Sequence, residues 1–477
     1  MQETTPATVK VGELEFPPRK VWMKTYGCQM NYHDSERIMS HLSGMNFTKT
    51  EEQNDADLVI FNTCAVRDLA NQKFYSHLGE TQKLKGIPKR HVPGVVVPAP
   101  AKKVIVAAGG CIAQTEGKEL LSKYKQLDFA FGTDVIDNIG EMVYRAYAGE
   151  TKFAVTSWDR SENYSIETKI TQGTPQAFVN IIKGCDKFCS YCIVPFTRGR
   201  EKSRRLAEVV KDVRRLVEYS GIQEVMLLGQ NVNSFGKDNS ESLGQLIMEL
   251  DQINGLNLLR YTTSHPYDVT DELVEAHRVA KKLANNLHLP VQSGSNTVLQ
   301  RMLREYTVDH YLSLLEKMRK ANPNIVITSD IIAGFPNETE EEHKDTLKLL
   351  DLAQFDNIYA YAYSSRKGTK SARMSDVLTD DIRGRRLREV MDKQLTIQAA
   401  IRNGMIGKTY RVLVEEKGLS KGVTKWTGRT SCMRLVHFEP QTPESDYQWH
   451  WVDVEITSAT ALSTQGKLIR DLGKNLQ

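Results

Sequence analysis

Short apolar runs at 21–28 (VWMKTYGC), 58–64 (LVIFNTC) and 104–111 (VIVAAGGC) each close on a cysteine. Each is followed by a helical pattern, as in 35–42 and 69–78. Unbroken apolar runs alternating with amphipathic helices predict βα units around a parallel sheet. The alternation returns after 175. Strand-like runs at 178–183, 224–229, 258–263, 287–291, 325–332 and 358–363 are separated by helical patterns at 205–219, 243–252, 271–284, 309–321 and 339–354. Six such repeats predict a parallel sheet curved into a partial (β/α)6 barrel. Beyond about 407 the period changes to two, in 410–415, 433–438 and 451–456, which predicts a small antiparallel β-barrel of the oligonucleotide-binding type. The expected α/β organisation is a flexible tail at 1–19, an N-terminal α/β domain at 20–150, a linker at 151–174, the partial barrel at 175–403 and the small barrel at 404–473.

Composition changes this picture little. A chain of 477 residues with 40% hydrophobic and 26% charged residues suits several soluble domains. No apolar run approaches the roughly 18–20 residues that span a bilayer, and 1–20 lacks the basic-then-apolar order of a signal peptide. The expectation is a cytoplasmic protein with no membrane partner. A net charge of +4 is too small to argue for a polyanionic partner, so only local clusters bear on nucleic acid. Lys83, Lys85, Lys89, Arg90, Lys102 and Lys103 lie in an acid-free, Pro-rich stretch that suits either a phosphate backbone or a solvated insertion. In the last segment Lys408, Lys417, Lys421, Lys425, Arg429 and Arg434 accompany Trp426 and Trp449, a mix compatible with RNA. Tryptophans in a small barrel are also commonly core.

The cysteines carry most of the chemistry. There are seven, at 28, 64, 111, 185, 189, 192 and 432, in a chain long enough to build its own cores, which argues against a disulfide framework. Cys185, Cys189 and Cys192 form a C-x3-C-x2-C triplet. Structural zinc wants four ligands, and no fourth Cys or His lies within ten residues of the triplet. Three thiolates instead fit three irons of a four-iron four-sulfur cubane and leave one iron open. An open iron can chelate S-adenosylmethionine and deliver one electron to its sulfonium. The triplet resembles the hallmark of the radical S-adenosylmethionine superfamily. Phe188 and Tyr191 between the ligands would shield the cluster, or simply cap a core.

Chemistry in parallel sheets belongs beyond the carboxyl ends of the strands. That rule gathers Cys28, Cys64 and Cys111 at one edge. Three thiolates there suit a second cluster, although each alone would be read as a buried thiol. Asn31 and Asp34 read as a helix cap after Cys28, placing it at a positive helix end. The barrel strands end in polar, Gly-rich loops. Candidates to hold the adenosyl sulfonium are Gly229, Gln230, Asn231, Ser264, Gln292 and Asp330, each of which is also a plausible turn former. Cys432 has no cysteine neighbour and reads as a packing thiol.

The motifs at 26–31 (YGCQMN), 62–67 (NTCAVR), 184–199 (GCDKFCSYCIVPFTRG) and 228–233 (LGQNVN), with the terminal small barrel, resemble the methylthiotransferase family over about 20–473. They are similar to its tRNA-2-methylthio-dimethylallyladenosine synthase branch. The resemblance implies two 4Fe-4S clusters, a radical-generating one on Cys185, Cys189 and Cys192 and an auxiliary, sulfur-delivering one on Cys28, Cys64 and Cys111. It also implies S-adenosylmethionine, a terminal TRAM domain, and a tRNA anticodon stem-loop carrying isopentenyladenosine at position 37 as substrate. A reducing donor such as flavodoxin or ferredoxin and a monomeric state belong to the same expectation. Sulfur and a methyl group would be inserted at carbon 2, whose C–H bond offers acid-base catalysis little purchase. The branch acting on a ribosomal protein has Cys-Pro-Lys-Asn where this chain has Cys28-Gln29-Met30-Asn31. The alternatives are methylthiolation of threonylcarbamoyl adenosine or of a ribosomal protein, and, in a different class, a non-catalytic RNA-binding electron carrier. The basic, Pro-rich segment around 88–100 departs from the family pattern.

Overall fold

The computed structural model describes residues 9–11, 14–66, 68–87, 102–158, 166–168, 173–420, 423–442 and 444–474. They divide into two compact units, residues 1–171 with 183–187 and 193–202, and residues 172–182 with 188–192 and 203–477.

The first unit is built on a six-stranded parallel sheet. Its spatial order is Phe47–Lys49, Arg19–Thr25, Leu58–Thr63, Ile105–Gly110, Phe129–Phe131, Phe153–Val155. Leu58–Thr63 and Ile105–Gly110 are buried along their whole length, as central parallel strands covered on both faces must be. Alternation along the strands splits the core in two. Val21, Leu58, Ile60, Ile105 and Ala107 pack with residues of the helices Gln29–Ser43 and Ile139–Tyr147. Val59, Phe61, Val106 and Ala108 pack with those of Asp68–Glu80 and Cys111–Lys123. The stretch expected as a linker contributes the edge strand Phe153–Val155, too short at three residues to stand out as a pattern. Much of the basic stretch is tied down internally: Lys85 pairs with Asp128 at 2.6 Å, Lys102 reaches Asp57 at 3.3 Å, and Lys103 donates to the carbonyls of Ala146 and Tyr147. Lys89 and Arg90 lie outside the described residues.

The second unit contains six parallel strands in two sheets. One has the order Leu258–Tyr261, Glu224–Leu228, Gln176–Asn180, and the other Asn286–His288, Val326–Ala333, Asn357–Ala362. The amides of Leu259 and Ala284 bond to the carbonyls of Lys282 and Leu259, which bridges the two sheets. The connecting helices are Leu206–Ser220, Leu243–Asp251, Asp271–Val279, Val308–Ala321 and Glu340–Ala353. Capping boxes at Ser242 with Gln245 and at Thr339 with Glu342 fix two of the starts. The third helix stops at Val279, short of the expected 284, and the chain then extends toward Asn286–His288.

A 24-residue helix, Asp380–Asn403, follows, and then a closed five-stranded barrel in the order Thr409–Ser420, Val423–Thr430, Leu435–Phe438, Thr464–Gly473, Trp451–Ala459. All its pairings are antiparallel except that of Leu435–Phe438 with Thr464–Gly473. The barrel is anchored on the parallel sheets by buried charge. Arg260 pairs with Glu224 at 2.6 Å and donates to the carbonyls of Thr430 and Ser431. Asp356 receives both Arg402 and Arg434.

Candidate functional site

The strand order of the first unit reverses between Arg19–Thr25 and Leu58–Thr63, the crevice where open parallel sheets bind ligands. Register levels the strand ends, Thr25 opposite Asn62 and Thr63 opposite Gly110. Cys28, Cys64 and Cys111 therefore leave neighbouring strands at one edge. Close packing there demands glycine. Gly27, at φ +108°, would place a Cβ 2.7 Å from Cys64 Sγ, and Gly110, at φ +88°, would place one 2.5 Å from the Thr63 carbonyl. Thr63 Oγ1 donates to the Gly109 carbonyl at 2.6 Å and accepts the Ile112 amide at 3.1 Å, locking the second loop to the third.

Asn31 is not the expected cap. Cys28 itself occupies the N-cap of Gln29–Ser43, and Asn31 lies one turn inside, with its amide donating to the carbonyls of Tyr26 at 2.7 Å and Thr63 at 2.9 Å. The positive helix end expected beside Cys28 is present all the same. Cys111 opens its own helix, so two helix amino ends face this edge. Arg198, buried, ion-pairs with Asp34 at 2.6 Å and donates to Asn31 Oδ1 at 2.7 Å. Burial opposes its charge, but Asp34 and then Cys111 and Cys28 outweigh that and push its pKa up. Three thiols, two helix amino ends and a buried guanidinium together suit a group of net negative charge. Among the described residues no three His, Cys, Asp or Glu side chains close around a single ion. A cluster several atoms across sets its thiolates farther apart than one ion does.

Cys185 belongs to the first unit, where its amide donates to the Gly199 carbonyl at 3.1 Å and its sulfur accepts the Lys187 amide at 3.4 Å. Cys189 and Cys192 belong to the second unit. The Cys192 amide closes a turn on the Cys189 carbonyl at 3.0 Å, and Ser190 bonds to the carbonyls of Met302 and Arg301. Arg304, buried, donates to Cys189 Sγ at 3.3 Å, to the Pro290 carbonyl at 2.8 Å and to the Tyr306 hydroxyl at 2.8 Å. N–H donors of this kind orient the sulfur ligands of a metal cluster and tune it. Tyr191 packs edge-on against Phe335, whereas Phe188 is exposed.

The six residues expected to hold the adenosyl group fall into two groups. Gly229 through Asn231 follow Glu224–Leu228 and lie beside the loop containing Ser264, joined by the Val232 amide on the Thr263 carbonyl at 2.8 Å. Gln292 and Asp330 are joined by a backbone bond of 2.8 Å. Gly229 has a packing reason, since a Cβ would meet Ile182 Cγ2 at 2.3 Å. Asn231 is taken up by Asp268 at 2.7 Å, and Gln230 next to it is half-buried. Ser264 has a buried hydroxyl with no partner among the described residues, an orphan that a ligand would satisfy. Thr263 and Gln292 hold φ values of +71° and +76°, strain of the kind that collects at binding sites.

Sequence reasoning missed several residues here. Arg198 and Arg304 carry no spacing signal. His288, whose Nδ1 is 3.0 Å from Thr328 Oγ1 and whose Nε2 is 3.5 Å from Asp330, lies edge-on to Tyr359. Tyr359 and Tyr361 are 51% and 47% exposed on the sheet face that also carries Asp330. The barrel has a cavity of about 390 Å³ lined in part by Lys425, His437, Glu439, Gln465 and Lys467. Its expected basic-aromatic surface is only partly present. Trp426 is core, Arg434 is committed to Asp356 and Arg429 to Glu415, while Lys421 lies outside the described residues. Cys432 is buried beside Thr430 Oγ1 at 3.1 Å.

Comparison with known proteins gives consistent matches. Residues 20–132 match uncharacterized protein family UPF0004 and residues 179–350 the radical SAM superfamily. A protein of Acetivibrio thermocellus named tRNA-2-methylthio-N(6)-dimethylallyladenosine synthase is 39% identical, covering 96% of this chain and 93% of its own length. Proteins of the same name from Carboxydothermus hydrogenoformans and a Ruegeria species are 37% and 40% identical, covering 94% and 88% of this chain and 99% and 92% of their own. Among solved structures, a radical S-adenosylmethionine methyltransferase from Kitasatospora setae with cobalamin and a 4Fe-4S cluster bound shares the fold. It has a TM-score of 0.54 at 14% identity and covers 74% of this chain and 77% of that one.

Proposed function

The chain belongs to the tRNA-2-methylthio-N(6)-dimethylallyladenosine synthase family of radical SAM enzymes, and from that membership we propose that it inserts sulfur and a methyl group at carbon 2 of N6-isopentenyladenosine at position 37 of a tRNA anticodon stem-loop. Cys185, Cys189 and Cys192 would hold one 4Fe-4S cluster, and Cys28, Cys64 and Cys111 would hold the auxiliary cluster. When bound, the first cluster and S-adenosylmethionine supply a carbon-centred radical strong enough to remove the hydrogen at carbon 2.

The chain's own residues bind and orient. Arg304 and the Lys187 amide donate to cysteine sulfurs and fix their orientation. Ser264, Gln292 and Asp330 offer polar groups to the adenosyl moiety. Tyr359 and Tyr361 present ring faces suited to stacking a base, and the barrel cavity has Lys425 and Lys467 for phosphates. A small reducing protein of the flavodoxin or ferredoxin type delivers electrons, and the site of action is the cytoplasm. Among the described residues no helix is long and apolar enough to cross a membrane.

The observation that supports this reading best is the levelled register by which Cys28, Cys64 and Cys111 leave three neighbouring strands at one edge of one sheet, in a chain that also carries the triplet. Mass spectrometry of tRNA nucleosides from cells lacking the protein tests it, with loss of the 2-methylthio group as the expected result. Anaerobically reconstituted protein should hold about eight irons and form 5′-deoxyadenosine in the presence of tRNA. Cys28→Ala should retain that cleavage but lose methylthio product, whereas Cys185→Ala should lose both. Cleavage surviving in Cys185→Ala contradicts the assignment.

A further inference from the structure

We propose that Arg198 is a positioning residue that sets the charge balance around Cys28, Cys64 and Cys111, and with it the reduction potential of the cluster those thiolates hold. The inference rests on reading these three cysteines as ligands.

Arg198 is the last residue of Val194–Arg198, the short helix that follows Cys192 in the chain. The segment is fixed in place by Thr133, whose hydroxyl donates to the Thr197 carbonyl at 2.6 Å, and it packs on the helix that Cys111 opens. The guanidinium meets Asp34 at 2.6 Å and Asn31 Oδ1 at 2.7 Å, both on the helix that Cys28 caps. The amide of Asn31 then donates to the carbonyls of Tyr26 and Thr63, just before Cys28 and Cys64. A continuous chain of bonds thus runs from one guanidinium to the backbone at two of the cysteines. Electrostatically, Cys111 and Cys28 follow Asp34 among the groups that favour its charge.

The physical consequence has a sign. Adding one electron to a thiolate-bound cluster makes it more anionic, so a nearby buried cation stabilises the reduced form and a nearby anion destabilises it. Arg198 and Asp34 are one of each, buried and in contact. Removing Arg198's charge should lower the potential, and removing Asp34's should raise it. A brace with no electrostatic role has no reason to move the potential in opposite directions.

The test uses the full chain carrying Cys185→Ser, Cys189→Ser and Cys192→Ser, reconstituted anaerobically with iron and sulfide, so that the auxiliary cluster alone reports. Paramagnetic resonance is followed through a redox titration. The expected result is about four irons per chain, a midpoint displaced to lower potential by Arg198→Gln, displaced to higher potential by Asp34→Asn, and close to the parent in Arg198→Lys. Shifts of the same sign in Arg198→Gln and Asp34→Asn, or no shift in either, overturn the proposal. If Arg198→Gln fails to hold a cluster, the upward shift of Asp34→Asn and the retained potential of Arg198→Lys decide it. A triplet-free chain that binds no iron instead refutes the ligand assignment underneath.

Discussion

Replacing Asp356 with Asn should loosen the hold of the small barrel on the parallel sheets. The carboxylate is buried just before Asn357–Ala362. It accepts Arg402 at 2.7 and 2.9 Å from the long helix and the Nε of Arg434 at 2.9 Å from the turn before Leu435–Phe438. One anion thus holds two cations from two different elements. An amide can offer a single oxygen and turns its NH2 toward a guanidinium, so both arginines lose charge compensation. Removing one member of a buried pair costs about 3–5 kcal/mol. Arg434 keeps some exposure, which places the expected loss near the lower end, about 3 kcal/mol. Denaturant unfolding of the full chain followed by tryptophan fluorescence is a suitable assay, since Trp426, Trp449 and Trp451 all lie in the barrel region. A double-mutant cycle with Arg434→Met separates the pair from its surroundings. Burial raises the Asp356 carboxyl, but the bonds from Arg402 and Arg434 more than reverse this and hold its pKa below the ordinary value. Its contribution is therefore fully present above the unfolded pKa of about 3.9 and is lost as pH falls below it. The gap between parent and Asp356→Asn should narrow in that acid window. A stability change under about 0.5 kcal/mol, or strict additivity with Arg434→Met, would refute the reasoning.

Three other outcomes are expected. Gly27→Ala forces a Cβ to 2.4 Å from Cys64 Cβ at a φ of +108°. Iron should fall from about eight to about four per chain, with 5′-deoxyadenosine formation retained; unchanged iron content would show that the crowding is harmless. Ser264→Ala removes a buried hydroxyl with no partner among the described residues, so stability should hold or rise by up to about 1 kcal/mol. Affinity for S-adenosylmethionine, read by equilibrium dialysis on reconstituted protein, should drop, and equal affinity would remove Ser264 from the site. His277 is buried against the Tyr261 hydroxyl at 2.6 Å, and burial lowers its pKa to about 4. A depressed value means stability is intact above about 6.5 and falls as pH drops toward 4. His277 should account for roughly 3 kcal/mol of loss between pH 7 and pH 4, visible as a shallower pH profile in His277→Gln.

The six parallel strands of the second unit and the helices between them were legible because most of the strands carry a short apolar run and most helices a clear apolar stripe, although boundaries moved, to Gln176–Asn180 from the expected 178–183 and to Asn286–His288 from 287–291. The long helix Asp380–Asn403 was not. Its buried face is Arg383, Arg386, Val390, Gln394, Ile397, Gln398 and Arg402, largely polar residues satisfied by tertiary partners, so no hydrophobic periodicity announces it. The barrel strand Val423–Thr430 was hidden for a related reason, with Lys425, Thr427 and Arg429 alternating with a lone large apolar residue, Trp426.

At the site, the chemistry was local and the geometry was not. The C-x3-C-x2-C triplet and three cysteines closing apolar runs declare their chemical type in one dimension, because thiolate number and spacing limit what they can bind. Whether the three separated cysteines share an edge depends on strand order and register, long-range pairings that composition does not encode. In sequence Arg304 looks like an ordinary surface charge, Asp34 like part of a helix cap, and Arg198 like one more residue of the 184–199 motif. Only the folded chain buries them, and a buried charge must have a partner, so burial sets Arg198 against Asp34 and Arg304 against Cys189.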